Sequence, residues 1–264
     1  MVISCFSMMS MASASSYGPN VNIDGSSFTG EIDVRDYTTF VGIRKFSTSM
    51  YWNAKVTYST YTRTITVKTD KLTLTAKDGA NYIIANGRYL FTSTPIYMKN
   101  GRLYAPVLLM AKAFDAKASW SNATSSFNIT RGSGGILSGD KFYREDEVYW
   151  LSKIINAEAG GEIFLGKMAV GNVILNRTRS PYFPNTIYGV IFDRKNGIQF
   201  SPVANGTIYN SPSSESIAAA KVCLEGYTVS KDILYFINPR IVPNSWVSKN
   251  RIFYAQIGNH AFYK

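Results

Sequence analysis

Glu158 closes the helical part of the stretch DEVYWLSKIINAEAGGEIFLGKMAVGNVILNR (146–177), a single carboxylate set just before a Gly-Gly break. Val148, Leu151 and Ile155 recur at helical spacing, and one further step of three along that stripe lands on Glu158. A carboxylate on the apolar side of a helix loses hydration, which disfavours its charged form and raises its pKa. Gly160 and Gly161 are expected to stop the helix and leave the carboxyl at an edge that a ligand can approach. That is the environment of a general acid. A solvated carboxylate in an ordinary last turn fits the same pattern equally well.

Few other residues offer chemistry. His260 is the only histidine, so neither a triad nor a metal site built on it has partners, and no zinc, calcium or nucleotide motif occurs. No metal and no cofactor are expected. Cys223 lies in SIAAAKVCLEG, where a buried inert thiol is the expected reading, and with Cys5 near the start no disulfide framework can form. Glu162 is the carboxylate nearest to Glu158 in sequence, and Asp193 in GVIFD is the other candidate, though it reads more readily as a helix-end surface acid.

The elements that must position these residues divide at RGSGGILSGD, a Gly/Ser-rich stretch giving a linker over 133–141. Before it, residues 31–132 alternate apolar and polar positions, as in VTYSTYTRTITVKT, with Asp-Gly and Asn-Gly turn signals: a β-rich α+β module of hairpins. Short helices fit 41–50 and 105–114 better. An internal repeat is visible between 40–67 and 104–129, each with an aromatic entry, a short helix, an Ala-Lys pair and two strands. Beyond the linker the period becomes 3.6. Helices are expected from Asp146 to Ala159, from Ile163 to Arg177, after Asn185-Thr186, and between Ser211-Pro212 and Gly226, with Pro212 in its first turn; RIFYAQIGNHAFYK reads as strands.

Residues 1–14, MVISCFSMMSMASA, are apolar, uncharged and end in Ala-Ser-Ala, which fits a signal peptide without its basic start. Residues 15–30 are polar and turn-rich, and are expected to be a flexible lead-in. No stretch is long and apolar enough to span a membrane. The formal net charge of +11 favours a polyanion, nucleic acid or an anionic wall polymer among them. Both parts carry the excess: residues 1–139 hold 14 Lys/Arg against 7 Asp/Glu, and residues 140–264 hold 14 against 10. No Lys/Arg run or nucleic-acid-binding signature accompanies it, so nucleic acid is not the expected partner. The chain is read as a monomer.

From about Tyr143 to Tyr263 the chain resembles the catalytic domain of bacterial cell-wall hydrolases of the SleB type, the spore cortex-lytic enzymes. The matching blocks are NAEAGGE (156–162), GKMAVGNVILNR (166–177), SPYFPNTIYGVIFD (180–193), QFSPVANG (199–206), LYFINP (234–239) and IGNHAFY (257–263). The resemblance implies a mainly helical domain over 142–264, similar to lysozymes and lytic transglycosylases, with one essential glutamate, Glu158. It further implies substrate contacts from Gln199, Tyr235, Asn238 and His260, and a supporting role for Glu162. Residues 31–132 are similar to the module named after the copper amine oxidase N-terminal domain. Copper needs imidazole or thiolate ligands, and residues 15–139 contain neither His nor Cys. The module is therefore read as non-catalytic, a wall-binding or spacer domain, with a purely structural role open.

Cleaving a glycosidic bond needs a proton on the leaving oxygen and support for an oxocarbenium-like state. A hydrolase pairs its acid with a second carboxylate. A lytic transglycosylase needs only one, because the 6-hydroxyl of muramic acid attacks in place of water. The family therefore implies a secreted, wall- or spore-associated enzyme that cuts between N-acetylmuramic acid and N-acetylglucosamine of peptidoglycan. Transglycosylation is expected, with a hydrolytic muramidase and a non-enzymatic wall-binding protein as alternatives. A chain beginning near Lys141 is expected to fold alone.

Overall fold

The computed structural model describes residues 18–195 and 197–264, and the signal peptide expected over residues 1–14 lies outside the described residues. A β-rich N-terminal region is followed by a largely helical C-terminal one. β1 (Asn20–Ile23) and β2 (Ser26–Ser27) form a hairpin, β3 (Ile32–Arg35) and β4 (Thr38–Gly42) a second, and α1 (Ile43–Met50) follows. β5 (Lys55–Ser59), β6 (Thr64–Lys68), β7 (Thr73–Lys77), β8 (Tyr82–Ala85) and β9 (Arg88–Phe91) run as an antiparallel meander. β10 (Tyr97–Lys99) and β11 (Arg102–Pro106) lead into α2 (Val107–Ala113), and the hairpin of β12 (Lys117–Ser121) and β13 (Ser126–Thr130) closes the unit.

The period-2 pattern dictates the meander. Ile65 and Val67 pair with Ala76 and Leu74, and Ile83 pairs with Leu90, so that all six side chains are buried on one face. Asn86 and Gly87 both take positive φ between β8 and β9, the two-residue turn that suits strand twist. The two copies of the repeat fold alike, each as strand, helix and hairpin. They meet where β4 pairs antiparallel with β11, Phe40 opposite Pro106 and Gly42 opposite Tyr104. Phe46 and Phe114 stand edge-on at 6.3 Å between them.

Two expectations are corrected here. From Asn20 onward the lead-in is not free: β1 pairs in parallel with β13, Val21 and Ile23 are buried, and Asn22 Nδ2 donates to Asn128 Oδ1 at 3.0 Å. Its two apolar residues are too few to show an alternation, and its partner strand lies about a hundred residues away. The Gly/Ser stretch 133–141 is likewise pinned to the module. Ile136 is buried, Asn86 Nδ2 donates to the Ile136 carbonyl at 2.9 Å, and Gly139 N–H donates to the Asn86 carbonyl at 2.7 Å. A Cβ on Gly135 would stand 2.3 Å from the Lys71 carbonyl oxygen, so glycine serves close backbone approach there, not slackness.

The C-terminal region holds α3 (Gly139–Phe142), α4 (Glu145–Ala159), α5 (Phe164–Arg179), α6 (Ile187–Ile191), α7 (Ser201–Asn205) and α8 (Ser214–Leu224). It ends in β14 (Tyr235–Ile237), α9 (Trp246–Asn250), β15 (Phe253–Ile257) and β16 (His260–Tyr263), with strand order β14-β16-β15. Every residue of α5 from Gly166 to Arg177 is buried, and α4 and α8 pack against it. Cys223 is free and buried beside it, as its neighbours suggested. Pro212 stands ahead of α8 rather than in its first turn. Ser213 is the N-cap, its hydroxyl accepting from Ser216 N–H at 3.1 Å.

A seam joins the two units. Arg88 Nε and Nη2 each donate at 2.7 Å to the Glu225 carboxylate, whose side chain is 0% exposed. The Tyr143 hydroxyl donates to the same carboxylate at 2.8 Å and accepts from Tyr89 N–H at 3.0 Å. Beside this node Tyr82 and Phe91 of the module lie 5.5 and 6.4 Å from the ring of Phe164, and Phe91 lies 5.6 Å from Tyr227. Apolar burial and a satisfied, buried ion pair together hold one unit on the other.

Candidate active site

Glu158 lies on the last turn of α4, in line with the fully buried Leu151 and Ile155. The helix ends at Ala159 with Gly160 still right-handed, φ −55°, and the chain re-enters a helix at Phe164. Both sides of this corner are tied down. Asn156 Oδ1 accepts from Ser213 N–H at 2.9 Å and from the Ser216 hydroxyl at 3.1 Å, which fixes the end of α4 to the start of α8. The buried ammonium of Lys167 donates to the Glu162 carbonyl and, at 2.8 Å, to Glu215 Oε2.

Burial pushes the Glu158 carboxyl up to about 7, against the pull of the Arg177 guanidinium. Arg177 is itself buried near the end of α5, and burial brings it down to about 10 while Tyr235, Asp193 and Glu158 oppose that shift. Its Nε donates to the Leu234 carbonyl at 2.8 Å, and its guanidinium lies 4.7 Å from the ring centre of Phe183.

Arg177 also lines a cleft of about 1020 Å³ between the end of α5, the loop before α7, β14 and α9. Gln199 and Tyr235 line the same cleft, with Tyr182, Phe183, Asp193, Trp246 and Arg251. Aromatic faces and one amide around an open trough suit a sugar chain, which offers flat apolar ring faces and hydroxyl donors. The cleft therefore brings together two of the expected residues, Gln199 and Tyr235, with Arg177 carrying the electrostatic link to Glu158.

The other expected residues, Glu158 included, are not in the lining of this cleft. Asn238 turns its Oδ1 onto Arg240 N–H at 3.0 Å and caps the loop after β14, outside the cleft lining. Glu162 accepts at 3.0 Å from both the backbone N–H and the side-chain amide of Asn259. Burial would raise its pKa, but these two donors, together with the fields of His260 and Lys167, outweigh it and hold the carboxyl below its ordinary value. His260 is buried beneath Phe236, ring centres 5.3 Å apart, with Nδ1 3.8 Å from Glu162 Oε1. Burial pushes its imidazole below the ordinary range, against the pull of Glu162. His260 thus stands in the wall behind the cleft rather than in its lining.

Arg177, Trp246 and Arg251 were not singled out from the sequence. A signal existed for one of them: Arg177 falls within AVGNVILNR, the one charge in a run otherwise uncharged. Asp193, read more readily as a surface acid, proves to line the cleft.

Residues 161–263 match the sequence profile of the family described as Cell Wall Hydrolase. The C-terminal half carries a cell wall hydrolase domain. The matched segment begins just after Glu158, so the case for that residue rests on its surroundings and its block. Residues 20–129 match the Copper amine oxidase N-terminal domain. Among curated relatives, a spore cortex-lytic enzyme of Bacillus cereus is 34% identical over 123 residues, covering 46% of this chain and 46% of that protein. One from Bacillus subtilis (strain 168) is 34% identical over 120 residues, covering 46% of this chain and 38% of that protein. The chain thus spans less than half the length of either. The solved catalytic domain of the germination-specific lytic transglycosylase SleB from Bacillus anthracis is 33% identical, covering 49% of this chain and 100% of that one, with a TM-score of 0.42.

Proposed function

We propose that this protein is a peptidoglycan-cleaving lytic transglycosylase acting outside the cytoplasm, on spore cortex or cell wall, with Glu158 as its single acid and base. The observation that carries this reading is the isolation of the Glu158 carboxyl: it is half-buried, with no hydrogen bond among the described residues and only the field of Arg177 favouring its charge. A carboxyl poised near 7 delivers a proton at neutral pH and can take one back. In the first step Glu158 protonates the glycosidic oxygen, and the bond between N-acetylmuramic acid and N-acetylglucosamine breaks. In the second, the carboxylate takes the proton of the muramic 6-hydroxyl, whose oxygen closes on the anomeric carbon. The product ends in 1,6-anhydromuramic acid and no water is consumed.

Glu162, the nearest carboxylate in sequence, is engaged by Asn259 and is not free to activate water. One observation favours the hydrolytic muramidase instead. Asp193 lines the cleft and could serve as the second carboxylate. The N-terminal module is read as a non-catalytic part that adds basic surface for an anionic wall. Among the described residues no helix is long and apolar enough to cross a membrane.

The test is Glu158→Gln, which keeps size and polarity but cannot transfer the proton. Release of soluble glycan from purified cortex or wall should fall by several orders of magnitude with the fold intact. Retention of a tenth of the activity would place the acid elsewhere.

A further inference from the structure

Two guanidinium groups share one aromatic ring in the cleft. The guanidinium carbons of Arg177 and Arg251 lie 5.5 and 4.7 Å from the ring centre of Tyr235. Arg251 also lies 4.6 Å from the ring centre of Trp246, and Arg177 5.2 Å from that of Phe200. Lys195 and Lys264 line the same cleft, and Asp193 is the one acidic residue in its lining. Lys264 is paired at 3.2 Å with Asp232, whereas Asp193 Oδ1 accepts from its own loop, the N–H of Lys195, at 2.9 Å.

This arrangement costs folding energy. Two like charges packed on one ring repel, more strongly where water is excluded. Arg177 is 5% exposed, and its Nη1 is buried without a hydrogen-bond partner among the described residues. Asp193 and Glu158 reach it only through their fields. The aromatic faces offset part of the desolvation, but no carboxylate closes a salt bridge with it among the described residues. A planar guanidinium with free N–H groups is suited to an oxygen anion, which it grips with paired hydrogen bonds.

We propose that the cleft is selective for an acid-bearing strand: an anionic oxygen of the substrate, carboxylate or phosphate, seats at Arg177 and Arg251 beside Tyr235, with Lys195 adding charge at the rim. The inference rests on the reading that this cleft receives the glycan, and it narrows that substrate to strands that keep their acid groups. A neutral strand would fill the trough but leave both guanidiniums unpaired.

Equilibrium binding to the full chain carrying Glu158→Gln tests this by calorimetry. Three probes are compared: a glycan oligomer with free lactyl and stem-peptide carboxylates, the same oligomer with every carboxyl amidated, and polyglycerol phosphate. The free-acid oligomer is expected to bind about tenfold more tightly than its amidated twin, the discrimination one charge-assisted contact supports. In Arg251→Gln, at a more exposed site than Arg177, that ratio should fall close to one. If both oligomers bind alike but polyglycerol phosphate displaces them, and Arg251→Gln abolishes the displacement, the anion is phosphate and the subsite stands. Equal binding of both oligomers with no displacement overturns the proposal, as does a preference for the free-acid oligomer that Arg251→Gln leaves untouched. Glycan release by the unmodified protein reads the proposed activity separately, so either claim can fail without the other.

Discussion

Asn259 holds both oxygens of Glu162, its backbone N–H reaching Oε2 and its side-chain amide reaching Oε1, each at 3.0 Å. The pair staples the corner between α4 and α5 to the tight turn between β15 and β16. Gly258, at φ +61°, makes the fit possible, since a Cβ there would stand 2.0 Å from Glu162 Oε2. The corner that carries Glu158 is therefore anchored from the far end of the chain.

Replacing Glu162 by Ala removes both acceptors of Asn259, whose donors lie at the surface where water can replace them, so the protein should lose about 1 kcal/mol, read from urea unfolding at pH 7. Its pKa is lowered in the folded state, so its stabilising effect is present above the unfolded value and lost as pH falls through the folded one. Glu162→Gln should accordingly show a shallower acid-side decline than the parent. Identical acid limbs would mean the Asn259 contacts do not favour the carboxylate.

Glu158 has the opposite sign. With its folded pKa raised to about 7, the folded chain holds a proton that the unfolded chain has released, so stability falls as pH rises from the ordinary carboxylate range to about 7. Glu158→Gln removes that loss. The variant should match the parent near pH 4 and exceed it at pH 8 by up to about 3 kcal/mol, the equivalent of the shift. A variant less stable than the parent at pH 8 would show that the carboxylate is satisfied where it stands. The rate of the parent should fall as pH climbs past about 7, because the first step needs the protonated acid.

Digestion in heavy-oxygen water separates the two enzymatic readings. An attached 6-hydroxyl has a high effective concentration and needs only a base, so anhydro ends without label are expected. Labelled reducing muramic acid as the main product would assign Asp193 the water, and Asp193→Asn should then abolish it.

Arg88→Ala would leave the Glu225 carboxylate, 0% exposed, without its main cation. A loss of about 3–5 kcal/mol is expected from breaking a buried pair at one end, measured by urea unfolding of the full chain. A chain starting at Lys141 loses the same partner and uncovers Phe164 and Tyr227, so it should melt well below the full-length protein. Equal melting points would show that the seam contributes nothing.

The surroundings of Glu158 were legible because helical spacing alone carries Leu151 and Ile155 on to it. The meander was legible because alternation and Asn86-Gly87 are local signals. β1 was missed because its partner, β13, is remote in sequence, and 133–141 because glycine reads the same for slack as for close approach. The cleft was half legible. Gln199 and Tyr235 lie in blocks with a recognisable pattern, whereas Arg251 and Trp246 acquire their role only when α9 folds back over β14. The seam was invisible, since Arg88 and Glu225 are brought together by docking alone.

That docking removes reach. A free tether of nine Gly/Ser-type residues would let a binding module search a radius of roughly 17 Å around the cleft. The pinned segment and the Arg88–Glu225 fork leave one offset and one angle. Any polymer gripped by both units must then match that spacing, and the gain in avidity is large when it does and nil when it does not. Should both units grip wall polymer as proposed, the pair would act as a gauge of its spacing rather than a hook with a blade on a string.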